Sequence, residues 1–371
     1  SEAISHLNGN LGVVNNILTT YANASSQSSQ LGLAGAVDYF RVNNETSAYI
    51  ASGATITAAS LGGAWQTTLA DGYEQAWSRA VSVAADTTVH SIDGGGNFGF
   101  TGGVNGGAGS AAGGTLLDIG RSSRTVAAIA DGATVTTGDL AVTATTSDKM
   151  FVIATSSGRS AGVALNGMVS LAGLNNQTLA SISNRARITA DLVDLRAEQF
   201  VSLFSLGGAL AGSTSGGSSF GVSVASLDAT TVTRAFIGDN AGDLSDDRLR
   251  GAGTTLGLIR TDSLTVQAAT TGRVIAASVA AAAVDGTNSS GAIDFDADAA
   301  ATSAQGGGSP SFALAGSAAV AATQLGTSAW IDVARIENRL QPLSTAVRAL
   351  NSSIIEIGSG SAAVNLAGTS T

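Results

Sequence analysis

The pattern T-x-A-x-I occurs five times, at Thr46-Ala48-Ile50, Thr125-Ala127-Ile129, Thr178-Ala180-Ile182, Thr233-Ala235-Ile237 and Thr327-Ala329-Ile331. The gaps of 79, 53, 55 and 94 residues describe one repeating unit that carries insertions of unequal length. Self-similarity of this kind points to a stack, in which each unit buries its apolar face only against its neighbours.

Each repeat has the same continuation. A turn and a second short strand follow, as in Asp131-Gly132-Ala133-Thr134-Val135 and Asn184-Arg185-Ala186-Arg187-Ile188. A third strand is apolar at alternate positions: Val81-Val83-Ala85, Leu140-Val142-Ala144, Val193-Leu195-Ala197, Leu264-Val266-Ala268 and Ile355-Ile357-Ser359. The remainder of each unit is rich in Gly, Ala and Ser, which let backbones approach closely. The alanine run at 280–283 reads as strand rather than helix, because Gly, Ser and Val surround it.

These features define an all-β chain, a β-solenoid (parallel β-helix) of about five irregular units with loop insertions. The units start near 46, 125, 178, 233 and 327, within a single repeat domain over residues 31–371. Residues 1–30 stand apart. Ile4, Leu7, Leu11, Val14, Leu18 and Tyr21 recur at helical spacing and predict an N-terminal amphipathic helix that caps or flanks the stack. Two coils per unit would give ten coils and a rod on the order of 50 Å long. An antiparallel sandwich competes, since hairpin signals such as Asp131-Gly132 are present. The insertions lie at 62–79, 93–114, 238–251, 285–310 and 337–350, and the last, with Leu343, Val347 and Leu350, suggests a short helix.

Composition narrows the function classes. Only 12% of residues are charged and the net charge is -10, with Lys149 the one lysine. A nucleic-acid binder needs a basic stripe, and this chain has none. The same acidity disfavours an anionic membrane surface. The uncharged stretches 199–227 and 299–331 carry too much Ser, Gly and Thr for a transmembrane segment. An acidic, cysteine-free, lysine-poor chain suits the outside of a bacterial cell. With neither an initiator Met nor a signal-peptide pattern, it reads as an interior segment of a longer polypeptide.

Several groups could carry chemistry. Asp239, Asp243, Asp246 and Asp247 cluster in one loop, and Asp294, Asp296 and Asp298 alternate in another. Clustered carboxylates are calcium ligands, although the 239–247 loop lacks EF-hand spacing; a solvated acidic loop there, and a solubilising strand edge at 294–298, are the simpler readings. No other cofactor is implied. The aspartates at 294–298 would also serve glycoside chemistry if a second, separated acid joined them. Trp65, Tyr73 and Trp77 form the aromatic cluster that would bind a sugar ring, or act as an apolar lid. His6 and His90 are one per region and support neither a zinc site nor a triad. The glycines at 94–96, 102–103, 106–107 and 113–114 lack the Lys-Ser/Thr ending of a phosphate loop. At one Thr every second coil, the motif threonines are too sparse for an ice-binding face.

Leu140-Ala141-Val142-Thr143-Ala144, Gly162-Val163-Ala164-Leu165-Asn166 and the run from Thr125 to Val135 together resemble the repeats of giant secreted bacterial adhesins, the filamentous haemagglutinin and leukotoxin-type filamentous adhesin class. The resemblance covers roughly residues 31–371. It implies an extracellular or cell-surface fibre with a β-solenoid architecture, no catalytic centre, and host-cell, glycan or matrix partners. The long insertions of units one and four depart from that pattern. Two alternatives stand beside it: a polysaccharide lyase or hydrolase built on a β-helix, and a fibre subunit that self-associates with like chains end to end.

Overall fold

The computed structural model describes residues 17–28, 30–58, 64–68, 74–78, 80–101, 109–213, 217–238, 257–284, 312–332, 334–340 and 342–365. Every regular element among them is a strand.

The complete units repeat one three-strand coil. In unit two, β7 (Ser110–Ile129) ends on T-x-A-x-I, β8 (Thr134–Thr136) follows a tight turn, and β9 (Asp139–Ser160) runs back. Unit three repeats this as β10 (Ala164–Ser183), β11 (Arg187–Thr189) and β12 (Leu192–Ser213). Unit four gives β13 (Ser219–Gly238), β14 (Gly257–Arg260) and β15 (Ser263–Val284). Unit five gives β16 (Ala313–Ile331), β17 (Ala334–Glu337) and β18 (Ser344–Asn365). Unit one comprises β2 (Leu31–Ile50), β3 (Thr55–Thr57) and β6 (Ala80–Thr101), with β4 (Ala64–Thr68) and β5 (Glu74–Ser78) inserted, and β1 (Ile17–Ser28) precedes it.

Corresponding strands pair in parallel. One long sheet has the order β1-β6-β9-β12-β15-β18, here the return sheet. The other, β16-β13-β10-β7-β2, is the motif sheet, and the short sheet β17-β14-β11-β8-β3 closes the end between them. Pairing runs in constant register, so Thr46, Thr125, Thr178, Thr233 and Thr327 form one column, and the motif isoleucines another. The β-solenoid is therefore the fold. The antiparallel sandwich is not: β4 with β5 is the one antiparallel pair among the described strands. Asp131-Gly132 makes the turn between β7 and β8, with Gly132 at φ 71° and Ala133 N–H donating to the Ala130 carbonyl at 3.2 Å. Positive φ is what selects glycine there.

Four expectations change. Each unit is one coil, not two, because the alternating strand and the small-residue stretch after it form a single 22-residue strand, as in β9. Five coils at about 4.8 Å each rise only ~24 Å, whereas 22 residues at ~3.3 Å extend ~70 Å. The particle is a slab that is widest along its strands. Second, residues 17–28 are a strand, not part of a helix, because β6 offers an open edge that pairs with them throughout, and Thr20 Oγ1 donates to Asp93 at 3.0 Å. The helical positions from Ile4 to Val14 lie outside the described residues. Third, Val347 and Leu350 lie in β18, paired with β15, not in a helix. Fourth, much of the Gly-rich stretch 93–114 belongs to β6 and β7 rather than to a loop. Gly95 fits there because a Cβ would come within 2.2 Å of Leu117 Cδ1.

The core is thickest where three sheets meet. Ile129, Ile182 and Ile237 pack with Val135, Ile188 and Ile259 from the short sheet and with Val142, Leu195 and Val266 from the return sheet. The motif threonines point inward and cross the sandwich. Thr178 donates to Thr146, Thr146 to Thr125 and Thr125 to Thr87, each at 2.8 Å. Thr327 donates to Thr270 at 2.7 Å, Thr270 to Thr233 and Thr233 to Gln199 at 2.8 Å. One motif Thr per coil is thus present, but it faces the core rather than water.

Two outcomes are expected. Small-angle scattering should give a longest dimension set by the strands, about 70 Å, rather than by the stack. Thr146→Val removes the middle of a fully buried hydroxyl chain and should lower stability by about 1–3 kcal/mol, read from the urea midpoint.

Candidate functional site

Straight columns of side chains on the outer faces follow from constant register. On the motif sheet, Arg41, Gly120, Gly173 and Asp228 occupy one column, in successive strands β2, β7, β10 and β13. All four point outward. Arg41 extends over Gly120, and Gly173 leaves a trough between its guanidinium and the Asp228 carboxylate, whose backbones are about three strand spacings or ~14 Å apart. Its volume is about 390 Å³. Asn43, Ser122, Asn175 and Thr230 line it from the next outward column.

Arg41 is held in place. Its Nη2 donates to both carboxylate oxygens of Asp118, at 2.7 and 2.9 Å, and its Cζ lies 5.2 Å from the Tyr39 ring centroid. The hydrogen bond to the Tyr39 hydroxyl, and then Asp118, raise its pKa and keep it charged. A Cβ at Gly120 would come within 1.7 Å of Arg41 Nη1, so the guanidinium lies where any other residue would stand. The trough thus presents a cation, a carboxylate, two amides and two hydroxyls on a rigid sheet, a set that exchanges hydrogen bonds with a hydroxyl-rich ligand.

The adjacent inward column is chemically separate. Arg121 faces the core, where its Nη1 lies 3.5 Å from Asp148 Oδ1 and 3.3 Å from the Lys149 carbonyl. Asn176 Nδ2 donates to the other Asp148 oxygen. Burial dominates both partners: it lowers the Arg121 pKa and raises that of Asp148, against their mutual attraction. Asp93 is likewise fully buried, with donors from Ser91 at 2.6 Å and Thr20 at 3.0 Å, and burial raises its pKa despite them.

The residues expected from sequence fall as follows. Trp65 and Trp77 occupy directly opposed register positions in the antiparallel β4–β5 pair. Tyr73 lies outside the described residues. So do Asp239, Asp243, Asp246, Asp247, Asp294, Asp296, Asp298 and His6. Among the described residues, no three His, Asp or Glu side chains converge as a ligand set, and no helix is long and apolar enough to cross a membrane. His90 sits beside Lys149 on the return sheet; burial first, then Lys149 and Arg121, lower its pKa.

The trough escaped sequence reasoning, although a signal exists. Arg41, Gly120, Gly173 and Asp228 each stand five residues before the Thr of their unit. Superposing units on T-x-A-x-I would have aligned them. No protein-family model, curated protein or solved structure matches this chain.

Asp93 gives a pH prediction with a defined sign. A carboxyl whose native pKa is raised binds its proton more tightly in the folded chain. Its contribution is therefore complete below the ordinary value of 3.8 and is lost as pH rises through the raised native value. Asp93→Asn does not titrate. The wild-type urea midpoint should fall relative to the variant's as pH rises through that window. Parallel profiles would show that Asp93 is not the group responsible.

Proposed function

We propose that this chain is a non-catalytic, adhesive segment of a large extracellular bacterial surface fibre, and that the Arg41–Asp228 trough is a contact for glycan hydroxyls. One observation carries the reading: two side chains of opposite charge flank a trough over Gly173 on an in-register outer sheet. Such a sheet holds its groups without a loop to order on binding, which reduces the entropic cost of capture. The resemblance to filamentous adhesin repeats supports the same reading, since T-x-A-x-I, G-A-x-V and L-x-V-x-A supply the inward columns of the coil. The hairpin carrying Trp65 and Trp77 is a second element on which an aromatic sugar contact would stand.

The test is capture of a panel of immobilised glycans by the purified chain, beside Arg41→Ala and Asp228→Ala. Binding of at least one glycan should weaken about tenfold or more in each variant, as for loss of a charged hydrogen-bonding anchor. Capture unchanged in both variants would remove the trough from the reading. Shortening of the captured polysaccharide would replace adhesion with an enzymatic role.

A further inference from the structure

Toward the strand ends remote from the short sheet, a second buried cluster around Leu117, Met150, Met168 and Leu203 fills the interior. Small and hydroxyl-bearing residues stand among these side chains. Ser170 and Ser205 meet at 3.1 Å, Ser223 and Ser278 at 2.7 Å, and Ser156 donates to Asn166 at 3.2 Å. Gly207 admits Met168, whose Cε would lie 2.0 Å from a Cβ at that position. Large aliphatic side chains also stand on the outer face.

On the motif sheet they form relief. Leu33, Leu165, Phe220 and Leu314 make one outward ridge, with Ala112 of β7 between Leu33 and Leu165. Val37, Leu116, Val169 and Val224 make a second. Between them runs a column of Gly35, Gly114, Gly167 and Gly316, interrupted by Val222. The groove is open: a Cβ at Gly167 or Gly316 would meet nothing within 4 Å. Val37 is 69% and Leu33 62% exposed. The zone contains no charged residue from the start of each strand to the level of Asp38, Asp118 and Asp228, and β10 and β16 carry none at all.

We infer that this face pairs with the same face of a second copy of the chain, ridges of one seated in the glycine groove of the other. Three observations favour a second copy. Five strands at ~4.8 Å by about eight residues at ~3.3 Å make on the order of 600 Å². That is as large as the largest apolar patch of an ordinary monomer and reaches the roughly 600 Å² per partner at which specific interfaces begin. The ridges and the groove run straight and parallel because register is constant, so a copy of the same sheet is the surface that matches their spacing. Finally, the face is free of charge, so burying it strands no ion. Pairing of this kind leaves the coil ends open. It does not depend on what the trough binds.

The experiment is sedimentation of the whole chain over a dilution series, with Leu165→Glu and Gly167→Leu, and strand content checked by circular dichroism. Wild type should show a reversible monomer–dimer equilibrium. Leu165→Glu should raise its dissociation constant about tenfold or more. Gly167→Leu decides the mode. It adds apolar surface and would strengthen unspecific association, but it fills the groove and should weaken the proposed pairing. A wild-type chain that stays monomeric, or a Gly167→Leu chain that pairs more tightly, overturns the inference. A monomer that floats with phosphatidylcholine vesicles would assign the face to lipid instead.

Discussion

Everything in this fold depends on strands of about twenty residues pairing in parallel without slipping. The side-chain period of a strand is two, so a slip of one residue would exchange the inner and outer faces of a whole coil. Long, small-residue strands specify register weakly. The inward threonine chain corrects this. It joins the two long sheets through hydroxyls fixed at one level of each coil, and a slipped strand would leave those hydroxyls buried without partners. The isoleucine column beside it adds the apolar half of the same restraint.

From that restraint follow two unlike halves. Near the short sheet, three walls enclose Ile, Val and Leu, and the outer face of the motif sheet carries polar residues together with a small apolar cluster of Val126, Ala128, Leu179, Phe236 and Trp330. Farther out only two walls remain. They enclose a second apolar cluster around Leu117, Met150, Met168 and Leu203, and further large apolar side chains stand outside. The trough lies at the border, where Arg41, Asp118 and Asp228 appear on the outer face and the uncharged zone ends. Adhesive chemistry and an apolar pairing face can then coexist on one sheet, because the columns keep them apart along the strand.

The buried charges run against stability. Arg121, Asp148 and Asp93 lie between the sheets, where desolvation outweighs pairing and shifts each pKa toward the neutral form. Arg121 and Asp148 sit between the apolar cluster beside the short sheet and the second apolar cluster around Met150 and Leu117. Arg121 thus lies inside, next to the Gly120 position that the trough uses outside.

The sequence by itself determined the repeat, the coil turn and the facing of most side chains. T-x-A-x-I states its own alternation, and the glycine of Asp131-Gly132 states its own turn, because both are local properties of the backbone. Only the tertiary structure decided how many coils a unit makes, since nothing local distinguishes a broken strand from a continuous one in β9. It also decided that residues 17–28 are a strand, because their hydrogen-bonding partner lies in β6, more than seventy residues away. The trough belongs to the same class. Arg41, Gly120, Gly173 and Asp228 are unremarkable in their own segments and become a site only when parallel register stacks their strands.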